Sequence, residues 1–259
     1  MAAAEDTAVT AKAADSTAPQ SHSLCKGNHT IQLNGYNIAY CIDGATIEQA
    51  ELVVFALHGA GQSKETFLGL FSWLAKHKLL LVAPDLRGHG QTNTSTENGS
   101  LALDELAGDA FFFISSVLQQ VAAERKSKPS LQWAILGHSI GGCVAVAATE
   151  LFQHTPYPLD LSKSLPGAFH AGLPASVVLL DCATECVSAS VERLDTYLDT
   201  IRPQEFATLQ AAVAWHIERG IYRSSAVASA SFLPFLTDGG APAGPRAWRT
   251  DRTKHTGGL

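Results

Sequence analysis

Gly137-His138-Ser139-Ile140-Gly141-Gly142 follows the apolar run Leu131-Gln132-Trp133-Ala134-Ile135-Leu136 and precedes the small-residue stretch Cys143-Val144-Ala145-Val146-Ala147-Ala148. A strand, a G-x-S-x-G turn and a helix, in that order, are the context in which a tight turn lifts a serine hydroxyl clear of a sheet edge. The glycines give the backbone room to turn. Ser139 is therefore the candidate nucleophile, and a serine sitting in an ordinary strand–helix turn is the plainer alternative. Such a serine needs a histidine base, which in this arrangement comes last in the chain.

Outward from the motif, the sequence alternates between strands and helices. Leu52-Val53-Val54-Phe55-Ala56-Leu57 is wholly apolar, as suits a strand buried on both faces of a parallel sheet. Leu79-Leu80-Leu81-Val82-Ala83 and Val177-Val178-Leu179-Leu180 read the same way. Helical patterns run around Phe67 to Lys76 and Leu101 to Lys126. This order predicts an α/β fold with a mostly parallel sheet and right-handed crossovers. Nearer the start, Thr30-Ile31-Gln32-Leu33 and Tyr36-Asn37-Ile38-Ala39-Tyr40 are split by Asn34-Gly35, a strong hairpin signal.

The organisation predicted is a disordered tail over 1–22, a core over 23–183, a helical lid over 184–236 and an irregular end over 237–259. In the lid, Val187, Val191, Leu194, Leu198 and Ile201 fall at helical spacing up to Arg202-Pro203. Phe206, Leu209, Val213 and Ile217 mark a second helix with Gly220 as its stop, and no strand is expected in this block. The connection between Gln153 and Leu173 is longer than usual.

Composition narrows the function classes. The 259 residues, 46% hydrophobic and 16% charged, suit one large globular domain. A net charge of −6 and the lack of a basic cluster with interleaved aromatics argue against a nucleic-acid surface. Uninterrupted apolar runs fall well below the roughly 18 residues of a membrane span, so no membrane partner is expected. Cys25, Cys41, Cys143, Cys182 and Cys186 are too few and too irregular for a disulfide framework. With no secretory signal, they predict reduced thiols in the cytoplasm or nucleus. Cys182 and Cys186 alone do not make a zinc site.

Three more positions bear on the chemistry. His58-Gly59-Ala60-Gly61 follows the Leu52–Leu57 run, where this architecture draws one backbone N–H of an oxyanion hole; the other comes from the residue after the nucleophile, Ile140. Asp85-Leu86-Arg87-Gly88-His89-Gly90 reads as a structural turn whose charges order the loop. Asp181 ends the Val177–Leu180 strand at the catalytic edge of the sheet, as a triad acid or as a simple capping aspartate. Beyond it only His216, within a lid helix, and His255, with no strand before it, remain as candidate bases.

These stretches, together with Gln62-Ser63, Gln91-Thr92 and the lid residues Arg202-Pro203, Phe206, Leu209, Ala212-Val213-Ala214-Trp215, Gly220, Arg223, Ala226 and Ser229, resemble the protein phosphatase methylesterase family over roughly residues 30–236. The resemblance implies an α/β-hydrolase fold and a serine carboxylesterase that removes the methyl ester from the C-terminal leucine of the protein phosphatase 2A catalytic subunit. It implies Ser139 as nucleophile, Asp181 as triad acid, Ala60 and Ile140 as the oxyanion hole, and no metal or organic cofactor. Ala60 and Ile140 stand where the family usually has Gly and Met, but both act through the backbone. The family continues through two further strands to a catalytic Gly-His. The likeness here runs to about Asp251, so an incomplete or alternatively spliced form without the last strands and the triad histidine is expected. Such a form would be close to inactive and would leave Val177–Leu180 as an apolar edge.

Overall fold

The structure is a computed structural model that describes residues 26–33, 35–92, 101–125, 131–154, 172–182, 203, 205–219, 225 and 246–247. The tail over 1–22, the first lid helix through Ile201, Gly220, most of the long 153–173 connection and His255 lie outside the described residues.

Six strands form one sheet. They are β1 (Gly27–Leu33), β2 (Tyr36–Gly44), β3 (Leu52–Leu57), β4 (Leu79–Pro84), β5 (Gln132–His138) and β6 (Ser176–Leu180), in the order β1-β2-β4-β3-β5-β6. The hairpin forms as its turn dipeptide predicts, with Leu33 opposite Tyr36 and Gly35 at φ +84°. β2 also runs antiparallel to β4, while β4, β3, β5 and β6 pair in parallel.

The apolar runs are continuous because both faces of this sheet are covered. Val53, Phe55, Leu57, Leu80, Val82 and Ile135 point to one core, under α2 (Leu103–Glu124) and α3 (Ile140–His154). Ala56, Leu81 and Ala83 point to the other with Phe67 and Leu74, from a 3₁₀ helix (Lys64–Leu70) and α1 (Phe71–Lys76). Successive strand residues thus serve opposite layers, as a period of two requires. α2 is long and apolar enough by composition to cross a bilayer, but two thirds of that stretch is buried, which marks it as a core helix.

Two expectations are corrected. Val178, Leu179 and Leu180 are 43, 42 and 42% exposed rather than buried on both faces; among the described residues β6 pairs with β5 alone and forms the apolar edge that the sequence also pointed to. The block beyond Asp181 does contain a strand. Glu205–Phe206 (β7) pairs antiparallel with Arg246–Ala247 (β8), so the expected irregular end also contributes one. Two-residue strands carry no periodicity, and their pairing is set by partners some forty residues away. α4 (Leu209–Glu218) matches the second lid helix except at Phe206, which lies in β7; Thr208 caps its start by accepting from the Ala211 N–H at 3.1 Å.

Candidate active site

Ser139 sits between β5 and α3 with φ +52°, a left-handed conformation that a residue with a Cβ adopts only under constraint. The constraint is close packing around the turn. A Cβ on Gly137 would lie 2.4 Å from the Gly141 carbonyl oxygen, and one on Gly141 would lie 2.3 Å from that of Leu57. Both obstacles are backbone and cannot swing aside. The two glycines therefore set how closely α3 approaches the end of β3, and Ser139 bears the strain.

β6 meets this turn directly. The Ser139 N–H donates to the Leu180 carbonyl at 2.9 Å, which places the next residue, Asp181, beside the elbow. Asp181 is itself left-handed at φ +49°, and it is exposed. Aspartate tolerates that region better than most residues.

The loop after β3 closes the other side. A Cβ on Gly59 would fall 3.2 Å from the Ser139 Cβ, 2.8 Å from His138 Nδ1 and 2.9 Å from Gln62 Oε1, so a larger residue here would displace the His138 and Gln62 side chains. Gln62, which the motif reading leaves without a role, orders the loop. Its Oε1 accepts the Gly59 N–H at 2.9 Å and faces His138 Nδ1 at 2.9 Å. The amide assigns this atom as oxygen, so the His138 proton sits on Nδ1. With Gly59 engaged, the N–H groups of Ala60 and Ile140 donate to no backbone carbonyl among the described residues. Ile140 opens α3, so its N–H also carries the positive end of the helix dipole.

Two buried contacts hold this loop to the turn after β4. His58 Nε2 accepts the Leu86 N–H at 2.9 Å, which leaves Nδ1 to donate to the Gly59 carbonyl at 2.8 Å. Lys64 Nζ bonds Asp85 Oδ2 at 2.8 Å with both side chains fully buried, and Gln91 Oε1 lies 3.0 Å from the same ammonium. Asp85 also accepts the N–H groups of Lys64 and Gln91. Burial alone would lower the Lys64 pKa, but Asp85 and Glu65 together raise it, so the ammonium stays charged. The turn is thus structural, as its charge pattern suggests. Arg87 extends it with a two-point bond to Asp109 on α2, at 2.7 and 2.8 Å.

Burial pushes His58 down to about 4; the Gly59 carbonyl opposes this shift, and Lys64 and His138 reinforce it. A histidine lowered from about 6.5 in the unfolded chain is neutral in the fold and charged when unfolded between those two values. Its share of stability is therefore complete above pH 6.5 and is lost as pH falls to about 4. Denaturant titrations across that window are expected to lose about 3 kcal/mol through this group. His58→Gln should flatten that part of the slope.

The candidate bases fare unequally. His216 is buried on α4, and its Nδ1 donates to the Ala212 carbonyl at 2.8 Å, one helical turn back. His255, the other candidate, lies outside the described residues; His89, in the structural turn, donates through Nδ1 to the Arg87 carbonyl at 2.9 Å and packs its ring 5.1 Å from His58. None of the described histidines is hydrogen-bonded to the Ser139 hydroxyl. Among the described residues, no three His, Cys, Asp or Glu side chains converge as a metal site.

A sequence profile of the alpha/beta hydrolase family matches residues 53–256. The chain is 31% identical over 202 residues to protein phosphatase methylesterase 1 of Gibberella zeae, covering 75% of this chain and 44% of that protein. It is 27% identical over 229 residues to the protein of the same name from Schizosaccharomyces pombe, covering 86% and 56% respectively. The chain spans about half the length of these curated relatives. Among solved structures, E-2-(acetamidomethylene)succinate hydrolase superposes with a TM-score of 0.61 at 17% identity, over 88% of this chain and 69% of that one, a likeness of fold alone.

Proposed function

The chain belongs to the alpha/beta hydrolase family, and from that premise we propose that it carries the nucleophile site of a serine carboxylesterase of the protein phosphatase methylesterase type. One observation supports this above the rest: Ser139 is held at φ +52° in the turn between β5 and α3, and the Ala60 and Ile140 N–H groups donate to no backbone carbonyl among the described residues. A strained serine with such backbone donors on neighbouring residues suits acyl transfer.

In this reading Ser139 Oγ attacks the ester carbonyl as a base takes its proton, and the oxyanion rests on Ala60 and Ile140. The base returns the proton to the leaving methoxide, and methanol departs. Water then hydrolyses the acyl-enzyme to a free carboxylate. Asp181 is the acid that would orient and balance the histidine; its exposure leaves that side of Ser139 open. Each oxyanion donor is worth about 3–4 kcal/mol of transition-state stabilisation. No step calls for a metal or an organic cofactor.

The substrate proposed is the methyl-esterified C-terminal leucine of the protein phosphatase 2A catalytic subunit, on the strength of the relatives' shared name. The test offers polypeptide 1–259, with imidazole supplied as base, the methylated subunit and a simple p-nitrophenyl acyl ester. Loss of the leucine methyl group that requires Ser139 supports the assignment. Hydrolysis of the simple ester alone would keep a serine esterase and remove the phosphatase as substrate. The absence of a base among the described histidines also favours a second reading, a phosphatase-binding protein without turnover. Saturable binding with no demethylation under any condition would select it.

A further inference from the structure

We propose that Cys143 and Cys182 form a reversible disulfide in the presence of a peroxide, tying the β6 end that carries Asp181 to the first turn of α3 behind Ser139. The two sulfurs lie 3.7 Å apart, and both residues are half-buried, so a small oxidant can reach them. A disulfide is about 2.05 Å long. The sulfurs must therefore close by roughly 1.6 Å, within reach of side-chain rotation about χ1.

Their proximity is built into the elbow. Cys182 lies over Gly142, where a Cβ would stand 2.7 Å from the Cys182 Cβ and 2.8 Å from its sulfur. Gly142 thus gives Cys182 the space to rest on the helix beside Cys143. The third described cysteine, Cys41, is buried in the core on the sheet's other face, and burial pushes its thiol up to about 12. It is shielded from the same chemistry.

The chemistry balances with hydrogen peroxide as oxidant. One of the two sulfurs, losing its proton, attacks a peroxide oxygen; the O–O bond breaks, and the hydroxide that leaves takes up that proton as water. The resulting sulfenic acid is attacked at sulfur by the other thiol, 3.7 Å away in the resting structure, the S–O bond breaks, and a second water forms. Each sulfur loses one electron, and the peroxide gains two.

The consequence falls on β6. Among the described residues that strand pairs with β5 alone, and the Ser139 N–H bond to Leu180 holds its end. A covalent tie one residue past Asp181 fixes this end against α3. The inference rests on the thiol geometry and does not require Ser139 to be catalytic.

The experiment treats purified polypeptide 1–259 with hydrogen peroxide, then maps peptides without reduction and follows amide hydrogen exchange. A 143–182 cross-linked peptide pair, lighter by two hydrogens and restored by dithiothreitol, is expected. Exchange over Ser176–Leu180 should slow several-fold on oxidation. Cys143→Ala and, separately, Cys182→Ser should abolish both effects while melting cooperatively. A Cys182–Cys186 link, higher oxidation without cross-linking, or unchanged exchange in the cross-linked protein would overturn the proposal.

Discussion

Polypeptide 1–259 is expected to hydrolyse a p-nitrophenyl ester at close to the background rate, and imidazole is expected to raise that rate only while Ser139 is present. Among the described residues no histidine is bonded to the Ser139 hydroxyl. Without a histidine base, turnover in a comparable serine protease falls on the order of 10⁶. The oxyanion donors need no base. Ser139 is half-exposed and Asp181 exposed, so free imidazole has a way in and a carboxylate beside it. General-base catalysis contributes about 10²–10⁴-fold, which sets the scale of the rescue. Imidazole also cleaves such esters unaided, so the rate with Ser139→Ala is subtracted. Equal imidazole dependence in the two proteins would remove Ser139 from the chemistry. Rapid turnover without imidazole would mean that a base is present, and His255 would be the first to replace.

Lys64→Met is expected to be the most destabilising of the single changes in the loop that carries Ala60. The substitution leaves the Asp85 carboxylate fully buried with only backbone donors, from Lys64 and Gln91. Breaking one side of a buried ion pair costs about 3–5 kcal/mol, because the remaining charge has no counterion. In a domain of this size that corresponds to a fall in Tm of roughly 6–20 °C. Lys64→Met combined with Asp85→Leu should recover much of the loss, since removing both charges is far cheaper than removing one. A single variant that melts within a degree or two of the parent would show that the pair does not hold the loop.

The parts of the fold carried by local pattern were legible in advance. Asn34-Gly35 marks its hairpin by the backbone it demands, and the run Leu52–Leu57 declares two covered faces because every residue in it is apolar. The elbow was legible for the same reason, since Gly137 and Gly141 are required where backbone meets backbone. What escaped depends on long-range pairing. Lys64 and Asp85 stand 21 residues apart; the turn's charges read as ordering it, but nothing in the sequence marks Lys64 as the partner of Asp85. Gln62 has no motif of its own; its role appears only when the Gly59 N–H and His138 converge on one oxygen. The composition of Val177–Leu180 reads as a core strand because it reports apolarity; its place at the edge came only from the expected loss of later strands. The pairing of Glu205–Phe206 with Arg246–Ala247 is too short to leave a pattern.

Covalent labelling tests directly whether Ser139 is an assembled nucleophile. Polypeptide 1–259 is treated with a fluorophosphonate in the presence of imidazole, and the site of phosphonylation is read by tandem mass spectrometry. One adduct on Ser139, absent from Ser139→Ala and much weaker without imidazole, is the predicted result. An unmodified Ser139 in a cooperatively folded protein, or an adduct on another residue, would contradict it.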